Sequence, residues 1–429
     1  MQQTLEKIGK QVFYKRLQQK MTQEELCQGI CSVSYLSKIE NGKIEASEEI
    51  LQLLCARLEI AVTDLRDVEE DVKGKLEEWH KAIVHLERER IEQIYADLQE
   101  EMKQVTDFEI MNYYELLYVR YLMIKRDVDN GAERLNKLKK GYKKLSQFQK
   151  MLFTYNVSLL NCLQNKWKIG LESLIETEKM AKELNYYENG IYYNLALAYS
   201  HLENPYKALH FANIAIEGFR NEYKFRNEYK FRNVINCQFI IAICFVRQGQ
   251  YKEALDMYNS ILREASSFSE NEVIMSIALS NIAEVYGNQQ QYEKAKEYYL
   301  KSLQYHQHED NNYLDTLYHT ALQCIHLKQM DEANQWIEKG ISIAQRHEKY
   351  KRVLYLLIIL QYKYFRTSDE YKKFLELEAI PFFKGEGNLV YLKQVYLEIA
   401  HYFEGIRNFE ESSRYYKETI SLLEKGEEK

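Results

Sequence analysis

The chain of 429 residues is too long for one ordinary hydrophobic core, so its length predicts several domains or a repeat array. Its formal net charge of −6 excludes a polycation. Residues 1–66 carry nine basic and nine acidic side chains, so any phosphate contacts there must be local. No window of 18 apolar residues and no apolar leader segment occur, which favours a soluble, cytoplasmic protein.

Composition also narrows the chemistry. The chain has two prolines, Pro205 and Pro381, and few glycines, which predicts long helices with short joints. Its seven cysteines are scattered at mostly apolar helical positions, and the pair Cys27 and Cys31 lacks a matching His or Cys pair. Buried, reduced thiols are therefore predicted, with no metal and no cofactor. Phosphate-loop, nucleophile-elbow and zinc-protease motifs do not occur, so an enzyme is not expected.

A helix-turn-helix is predicted over 22–42, TQEELCQGICSVSYLSKIENG. Thr22 is an N-cap residue and Glu25 completes a capping box, so a first short helix begins there. A second helix is predicted from 33 to 41, and Gly42 ends it. On this second helix we expect a buried face of Val33, Leu36 and Ile39 (or Tyr35), and free side chains at Ser34, Ser37 and Lys38.

This stretch resembles the Cro/CI-like DNA-binding domains, in which a TQEEL helix precedes a recognition helix of the form Y-[LI]-S-[KR]-[IW]-E-N-G. The resemblance covers the first 66 residues, with amphipathic helices expected over 5–17 and 50–58, the latter burying Ile50, Leu53, Leu54 and Leu58. It implies a recognition helix in the major groove. The expected DNA-facing residues are Gln23 on a phosphate, Ser32, Ser34 on a base edge, and Lys38 on phosphate or base.

Residues 67–75 are charged and predict a linker or the start of a helix, and residues 76–429 carry a tetratricopeptide period. The best match is 276–303, with Ala283, Tyr286, Tyr292, Ala295 and Tyr299 at the repeat positions. Other units place small or aromatic markers at Trp167, Gly170, Ala196, Tyr199, Ala208, Ala242, Phe245, Tyr251, Ala254, Tyr258, Ala321, Ala333, Ala400, Phe403, Phe409 and Tyr416, and degraded pairs lie at 72–104, 107–146 and 347–380. The prediction is an all-α protein with an N-terminal Cro/CI-like helix-turn-helix domain, followed by a right-handed superhelix of about nine repeats.

Asparagine recurs at position 6 of three repeats, at Asn156, Asn194 and Asn281. We expect this position to face the concave groove, where an amide can pair with the backbone of an extended peptide. The alternative is a set of solvated polar residues on an open face. Weaker candidates are His319 and Asn236 in the groove, and Arg120 or Arg126 for a ligand carboxylate.

The spacing of the repeats is irregular at one place. The hexamer RNEYKF occurs twice in tandem, at 220–225 and 226–231, and removing one copy restores an ordinary repeat length. This favours a short duplication absorbed at a joint between repeats, to which no function is assigned.

A Cro/CI-like domain followed by about nine tetratricopeptide units resembles the RRNPP family of peptide-sensing regulators of Gram-positive bacteria. The resemblance implies a cytoplasmic transcription factor that binds operator DNA and holds a short re-imported signalling peptide in its repeat groove. Groove asparagines that hold the peptide backbone are a feature of that family, which maps onto Asn156, Asn194 and Asn281. The resemblance further implies homodimers built through the repeats, and tetramers as the peptide-bound form.

Two functions remain open from the sequence. The first is a quorum-sensing regulator whose peptide switches operator binding. The second is a peptide-regulated interaction module of the Rap type, which sequesters a response regulator of the sporulation phosphorelay. Operator binding that responds to peptide separates them. The sequence does not give the peptide, the operator or the direction of regulation.

Overall fold

The computed structural model describes residues 9, 12–13, 15–17, 19–44, 46–59, 64–105, 107–221, 228–267, 271–306, 310–365, 369–386 and 389–427. Every regular element in these ranges is a helix, and no strand occurs in them. The chain divides into two compact units, Met1–Gln248 (unit 1) and Gly249–Lys429 (unit 2), and each is described by itself.

Unit 1 begins with the three short helices of the helix-turn-helix region and continues as long helices. Its helices are α1 (Gln23–Cys27), α2 (Val33–Glu40), α3 (Glu48–Arg57), α4 (Asp64–His85), α5 (Arg88–Glu101), α6 (Phe108–Ile124), α7 (Val128–Lys140), α8 (Gln147–Leu163), α9 (Trp167–Glu183), α10 (Asn189–His201), α11 (Pro205–Asn221) and α12 (Glu228–Arg247). Short 3-10 turns follow α5 and α7, at Met102–Gln104 and Tyr142–Lys144.

The helix-turn-helix region has its own apolar core, with Val12, Leu26, Leu36, Leu54 and Leu58 fully buried. Of the helix expected over 5–17, residues 9, 12–13 and 15–17 are helical, and the others lie outside the described residues. Gly42 has φ +66° and directly follows Asn41, the C-cap of α2, as expected of a glycine that ends a helix.

Two residues of the predicted core are exposed instead. Val33 is the first residue of α2 and is exposed, because side chains tilt toward the N-terminus of a helix and the first one projects beyond its end. Leu53 on α3 is also exposed, and the inward face of that helix runs through Leu51, Leu54 and Cys55. The predicted apolar stripe of α3 is therefore wrong at Leu53, because the helix is rotated so that Leu51 faces the core in its place.

The long helices of unit 1 pack as antiparallel neighbours in sequence order. Residues 67–75 lie inside α4, so the charged stretch is the start of a helix, and Val72 within it is buried. Gly170 marks a close approach of two helices, since a Cβ there would lie 2.6 Å from Cys162 Sγ on α8. Residues 222–227, which are half of the two RNEYKF copies, lie outside the described residues.

Unit 2 consists of α13 (Tyr251–Ala265), α14 (Glu272–Asn288), α15 (Tyr292–Leu303), α16 (Asn311–His326), α17 (Met330–Ala344), α18 (Lys351–Phe365), α19 (Asp369–Phe374), α20 (Ile380–Gly385), α21 (Leu389–Gly405) and α22 (Phe409–Glu427). A 3-10 turn, Glu348–Tyr350, precedes α18, and a π-helical turn, Leu375–Ala379, joins α19 to α20. The pairs α14 with α15, α16 with α17, and α21 with α22 pack closely.

The repeat positions predicted to be small are fully buried in both units, at Ala196, Ala208, Ala242, Ala254, Ala283, Ala295, Ala321, Ala333 and Ala400. These residues let the helices of a pair approach each other, which confirms the repeat register. The aromatic marker Phe409 does not contribute to the core of its repeat. It is 65% exposed and is the first residue of α22.

No described helix combines the length and the apolar character that a membrane crossing requires. All seven cysteines are free thiols, and six are buried while Cys31 is half-buried.

Candidate DNA-recognition helix and ligand cavities

The start of α1 is fixed by a complete capping box. Thr22 Oγ1 accepts from the Glu25 backbone N–H at 3.2 Å, and the Thr22 backbone N–H donates to Glu25 Oε2 at 2.7 Å. Two bonds that Thr22 donates to the Glu25 carboxylate, first the one from its backbone N–H and then one from its hydroxyl at 3.0 Å, lower the pKa of Glu25. The sequence signature of the helix start is thus confirmed in both of its hydrogen bonds.

A buried ion pair ties the helix-turn-helix together. Arg16 Nε donates to Glu40 Oε1 at 2.6 Å, and Gln23 Nε2 donates to Glu40 Oε2, also at 2.6 Å. Gln23 is therefore half-buried, and one of its two amide hydrogens is used internally. On the other side, Arg57 of α3 donates to the Leu26 carbonyl at 3.0 Å and holds the end of α1.

The outer face of α2 carries the predicted DNA-contacting residues. Ser32 is the N-cap of α2, and its hydroxyl oxygen accepts from the Tyr35 backbone N–H at 3.2 Å. Ser34 and Lys38 are one helical turn apart and both exposed. Val33 is exposed beside them, which the sequence pattern did not predict.

Four of the residues considered for ligand binding line one cavity of about 530 Å³ in unit 1, which we call the Asn194 cavity. They are Asn194, Asn236, Arg126 and Arg120. Asn236 is exposed, and Arg126 is an exposed residue with φ +62° just after α6. The walls are largely apolar and include Ile83, Met123, Ile124, Leu159, Leu163, Trp167, Leu197 and Phe219.

The weaker candidate Arg120 is not available to a ligand carboxylate. It is 8% exposed and forms two hydrogen bonds to Glu188, from Nη2 to Oε1 at 2.6 Å and from Nη1 to Oε2 at 3.2 Å. Burial by itself raises the pKa of Glu188, but the charge and hydrogen bonds of Arg120 outweigh it and leave the pKa lowered. Both residues lie at the Asn194 cavity, but each is paired with the other there.

Asn156 is the clear correction among the candidates. It is fully buried, and its Nδ2 donates to the Leu116 carbonyl on α6 at 2.8 Å. The prediction that this side chain faces an open groove is therefore wrong. Its Oδ1 has no hydrogen-bond partner among the described residues. Asn156 holds α8 against α6 rather than lining a cavity.

The remaining two candidates, Asn281 and His319, line a smaller cavity of about 180 Å³ in unit 2, which we call the Asn281 cavity. Asn281 is half-buried, and its amide makes no hydrogen bond to any described residue. Hydroxyls form one wall, where Ser280 Oγ lies 2.8 Å from Ser302 Oγ and 3.3 Å from Thr316 Oγ1.

His319 stacks on Tyr299 across this cavity, with ring centroids 5.6 Å apart, and keeps one face exposed. Its enclosure by neighbouring side chains lowers its pKa, and burial also lowers the pKa of His306 in the same cavity. Both imidazoles are therefore neutral at pH 7, where each offers one donor and one acceptor.

A polar network that the sequence did not reveal runs from Glu188, which lines the Asn194 cavity, into the interior of unit 1. Glu188 accepts from Tyr186 at 2.9 Å, and the Tyr186 hydroxyl lies 3.4 Å from His80 Nε2. His80 Nδ1 is 2.9 Å from the Tyr113 hydroxyl. Burial, and then the charge of Arg120, lower the pKa of His80 to about 4.

His80, Tyr113 and Tyr186 also line a second cavity of unit 1, of about 610 Å³, which we call the His80 cavity. It has charged residues at its edge, including Lys73, Glu77 and Lys81, and Phe148 in its wall. No described group of three or more His, Cys, Asp or Glu side chains is placed to hold a metal ion.

Comparisons with known proteins identify both the helix-turn-helix region and one of the repeats. The helix-turn-helix family model matches residues 13–65, and the tetratricopeptide repeat model matches residues 277–306. The transcriptional activator NprA of Geobacillus stearothermophilus is 25% identical over 411 residues, which cover 93% of this chain and 98% of NprA.

Two solved structures are more similar in sequence. The apo form of the quorum sensor NprR from B. thuringiensis is 54% identical, with a TM-score of 0.73, and the match covers 83% of this chain and all of that one. NprR in complex with its cognate peptide NprX is 52% identical, with a TM-score of 0.67, covering 84% of this chain and all of that one.

Proposed function

Because the chain belongs to the RRNPP family, in its NprR group, we propose that it is a quorum-sensing transcriptional regulator that binds a short re-imported signalling peptide. The observation that carries this proposal is the grouping of the candidates: Asn194, Asn236 and Arg126 line one cavity, and Asn281 and His319 line another. The protein is then cytoplasmic, where a re-imported peptide reaches it.

Peptide recognition at these residues follows from their unused hydrogen-bonding capacity. The Asn281 amide has one acceptor and two donors without partners among the described residues, so it can pair with both groups of a peptide unit. Arg126 offers a guanidinium with no ion pair to any described residue, which suits a ligand carboxylate. The apolar walls of the Asn194 cavity suit apolar peptide side chains.

The DNA-binding role rests on α2. Ser34 and Lys38 form its exposed stripe, and Ser32 can donate its hydroxyl hydrogen to a phosphate while it caps the helix. Gln23 has a second amide hydrogen for a phosphate contact. One such domain buries too little surface for tight specific binding, so we propose a homodimer, and a tetramer as the peptide-bound form, which place two domains on paired half-sites.

Calorimetry and DNA selection test this function together. The full chain is titrated with synthetic NprX and with short peptides encoded next to its gene, and it is used to select duplexes from a randomised library with and without peptide. We expect a peptide that binds, selected duplexes with half-sites a whole number of helical turns apart, and affinity that depends on the peptide. Light scattering reports the oligomer in both states. No peptide binding, or DNA affinity indifferent to a bound peptide, contradicts the proposal.

A second candidate function is capture of a phosphorelay response regulator. The His80 cavity favours it, because that cavity is large and contains none of the predicted peptide-binding residues. A gel shift that is insensitive to peptide but abolished by a purified response regulator supports this alternative. A gel shift that responds to peptide alone supports the first function.

A further inference from the structure

The Asn194 amide is held in one orientation by two internal hydrogen bonds. Its Nδ2 donates to the Gly190 carbonyl at 2.8 Å and to the Tyr155 hydroxyl at 3.0 Å. A carbonyl oxygen only accepts hydrogen bonds, so the amide atom beside Gly190 is the nitrogen. Both amide hydrogens are consequently used inside the protein, and Oδ1 is the atom left for a ligand.

Tyr155 is itself fixed by a charged neighbour. It is 1% exposed, and its ring lies under the Arg120 guanidinium at 4.8 Å. The Asn194 amide nitrogen can only donate, so the Tyr155 oxygen is the acceptor in the bond between them. Arg120, which is paired with Glu188, thereby holds the ring whose hydroxyl fixes Asn194.

We propose that Tyr155 is a positioning residue for ligand recognition, fixing Asn194 so that its Oδ1 presents a hydrogen-bond acceptor to the Asn194 cavity. The cavity then selects a peptide with a free backbone N–H at one position and rejects a group that only accepts. This inference rests on the proposed peptide-binding function and deepens it. Asn281, whose amide has no such internal bonds, is free to pair with both groups of a peptide unit.

Backbone N-methylation of the peptide removes one N–H donor at a time and tests the inference directly. Wild-type protein is titrated with synthetic NprX and with a series methylated at each backbone nitrogen in turn. We expect one position at which methylation weakens binding about 5- to 150-fold beyond the other positions, since a buried acceptor then lacks a partner. In Asn194→Ala the excess loss at that position should vanish.

Tyr155→Phe tests the positioning role. It removes the hydroxyl but leaves the Gly190 bond, so the excess loss at the sensitive position should shrink about fivefold, the value of one hydrogen bond. Tyr121→Phe is the matched control, because that buried tyrosine donates to Glu92 at 3.0 Å and does not line the cavity. It should keep the full methylation pattern. A purely structural effect would lower affinity for all peptides equally in both variants.

Gly190→Ala is a second variant that tests the same contact if Tyr155→Phe does not fold. In Gly190→Ala the new Cβ would lie 3.1 Å from the Tyr155 hydroxyl and 3.3 Å from Glu188 Oε1, which displaces the same contact. It should also shrink the excess loss. If wild type binds NprX but the pattern is the same in wild type, Asn194→Ala and Tyr155→Phe, the inference is overturned and peptide binding stands. If wild type binds neither NprX nor the peptides encoded next to its gene, peptide binding itself is overturned.

Discussion

Removing the charge of Glu188 while keeping its shape should destabilise unit 1 strongly. In Glu188→Gln, Arg120 stays charged and 8% exposed but loses the carboxylate that faces it through hydrogen bonds of 2.6 and 3.2 Å. Breaking a buried ion pair at one partner costs about 3–5 kcal/mol, because the remaining charge is desolvated without compensation. The glutamine amide oxygen still accepts one hydrogen bond from Arg120, so we expect the free energy of unfolding to fall by about 3 kcal/mol, the lower end of that range.

A double variant separates this charge effect from a loss of packing. Arg120→Met combined with Glu188→Gln leaves no buried charge and keeps an acceptor for Tyr186. We therefore expect it to be more stable than Glu188→Gln alone by about 2 kcal/mol. Glu115→Gln is the control, since its pair with Arg134 has similar distances of 2.8 and 2.7 Å but both side chains are about one-third exposed. It should cost less than about 1 kcal/mol.

Urea unfolding measured by tryptophan fluorescence checks these values. In a Trp336→Phe background the remaining tryptophans, Trp79 and Trp167, both lie in unit 1, so the signal reports that unit. A Glu188→Gln variant within 1 kcal/mol of the parent refutes the reasoning. A double variant that loses as much free energy of unfolding as Arg120→Met and Glu188→Gln lose in sum also refutes it.

Three further predictions concern Asn281, Lys38 and His80. Asn281→Ala should weaken binding of the signalling peptide by about 2–4 kcal/mol, or about 30- to 1,000-fold in calorimetry, with the fold intact; equal affinities would place peptide recognition elsewhere. Lys38→Ala should lower the slope of log affinity against log salt by about one in gel shifts on a selected duplex, and an unchanged slope would remove Lys38 from the interface. Because the pKa of His80 is lowered to about 4 from an unfolded value of about 6.5, protonation favours the unfolded state, so stability is full above pH 6.5 and falls by about 3 kcal/mol as the pH drops to 4. His80→Gln should remove that part of the pH dependence in urea unfolding, and an unchanged dependence would assign it to other groups.

The fold was largely predictable because local patterns decide it. Thr22 and Glu25 specify a helix start through bonds within four residues, and Gly42 ends a helix by its own conformation. The buried alanines of the repeats follow from a period that stacking imposes on every unit. Val33 and Phe409 are exposed because each is the first residue of its helix, and Leu53 is exposed because the inward face of α3 runs through Leu51, Leu54 and Cys55.

The site was predictable only in part, and the reason is distance along the chain. Arg120 and Glu188 are 68 residues apart, and no spacing rule relates them. From the sequence alone, each of them is expected to lie at the surface, as most charged residues do. Only the packing of α6 against the segment before α10 brings them together and takes Arg120 away from any ligand.

The three asparagines at one repeat position show why register alone does not assign a binding role. Asn156 meets the Leu116 carbonyl of a neighbouring helix and is buried, whereas Asn194 meets Tyr155 and keeps only its oxygen free. Asn281 makes no hydrogen bond to a described residue and keeps its whole amide. The repeat fixes the backbone position of a side chain. The residues on the adjacent helices decide how many donors and acceptors of that side chain remain for a ligand. Recognition in such arrays is therefore set by the residues behind the asparagine as much as by the asparagine itself.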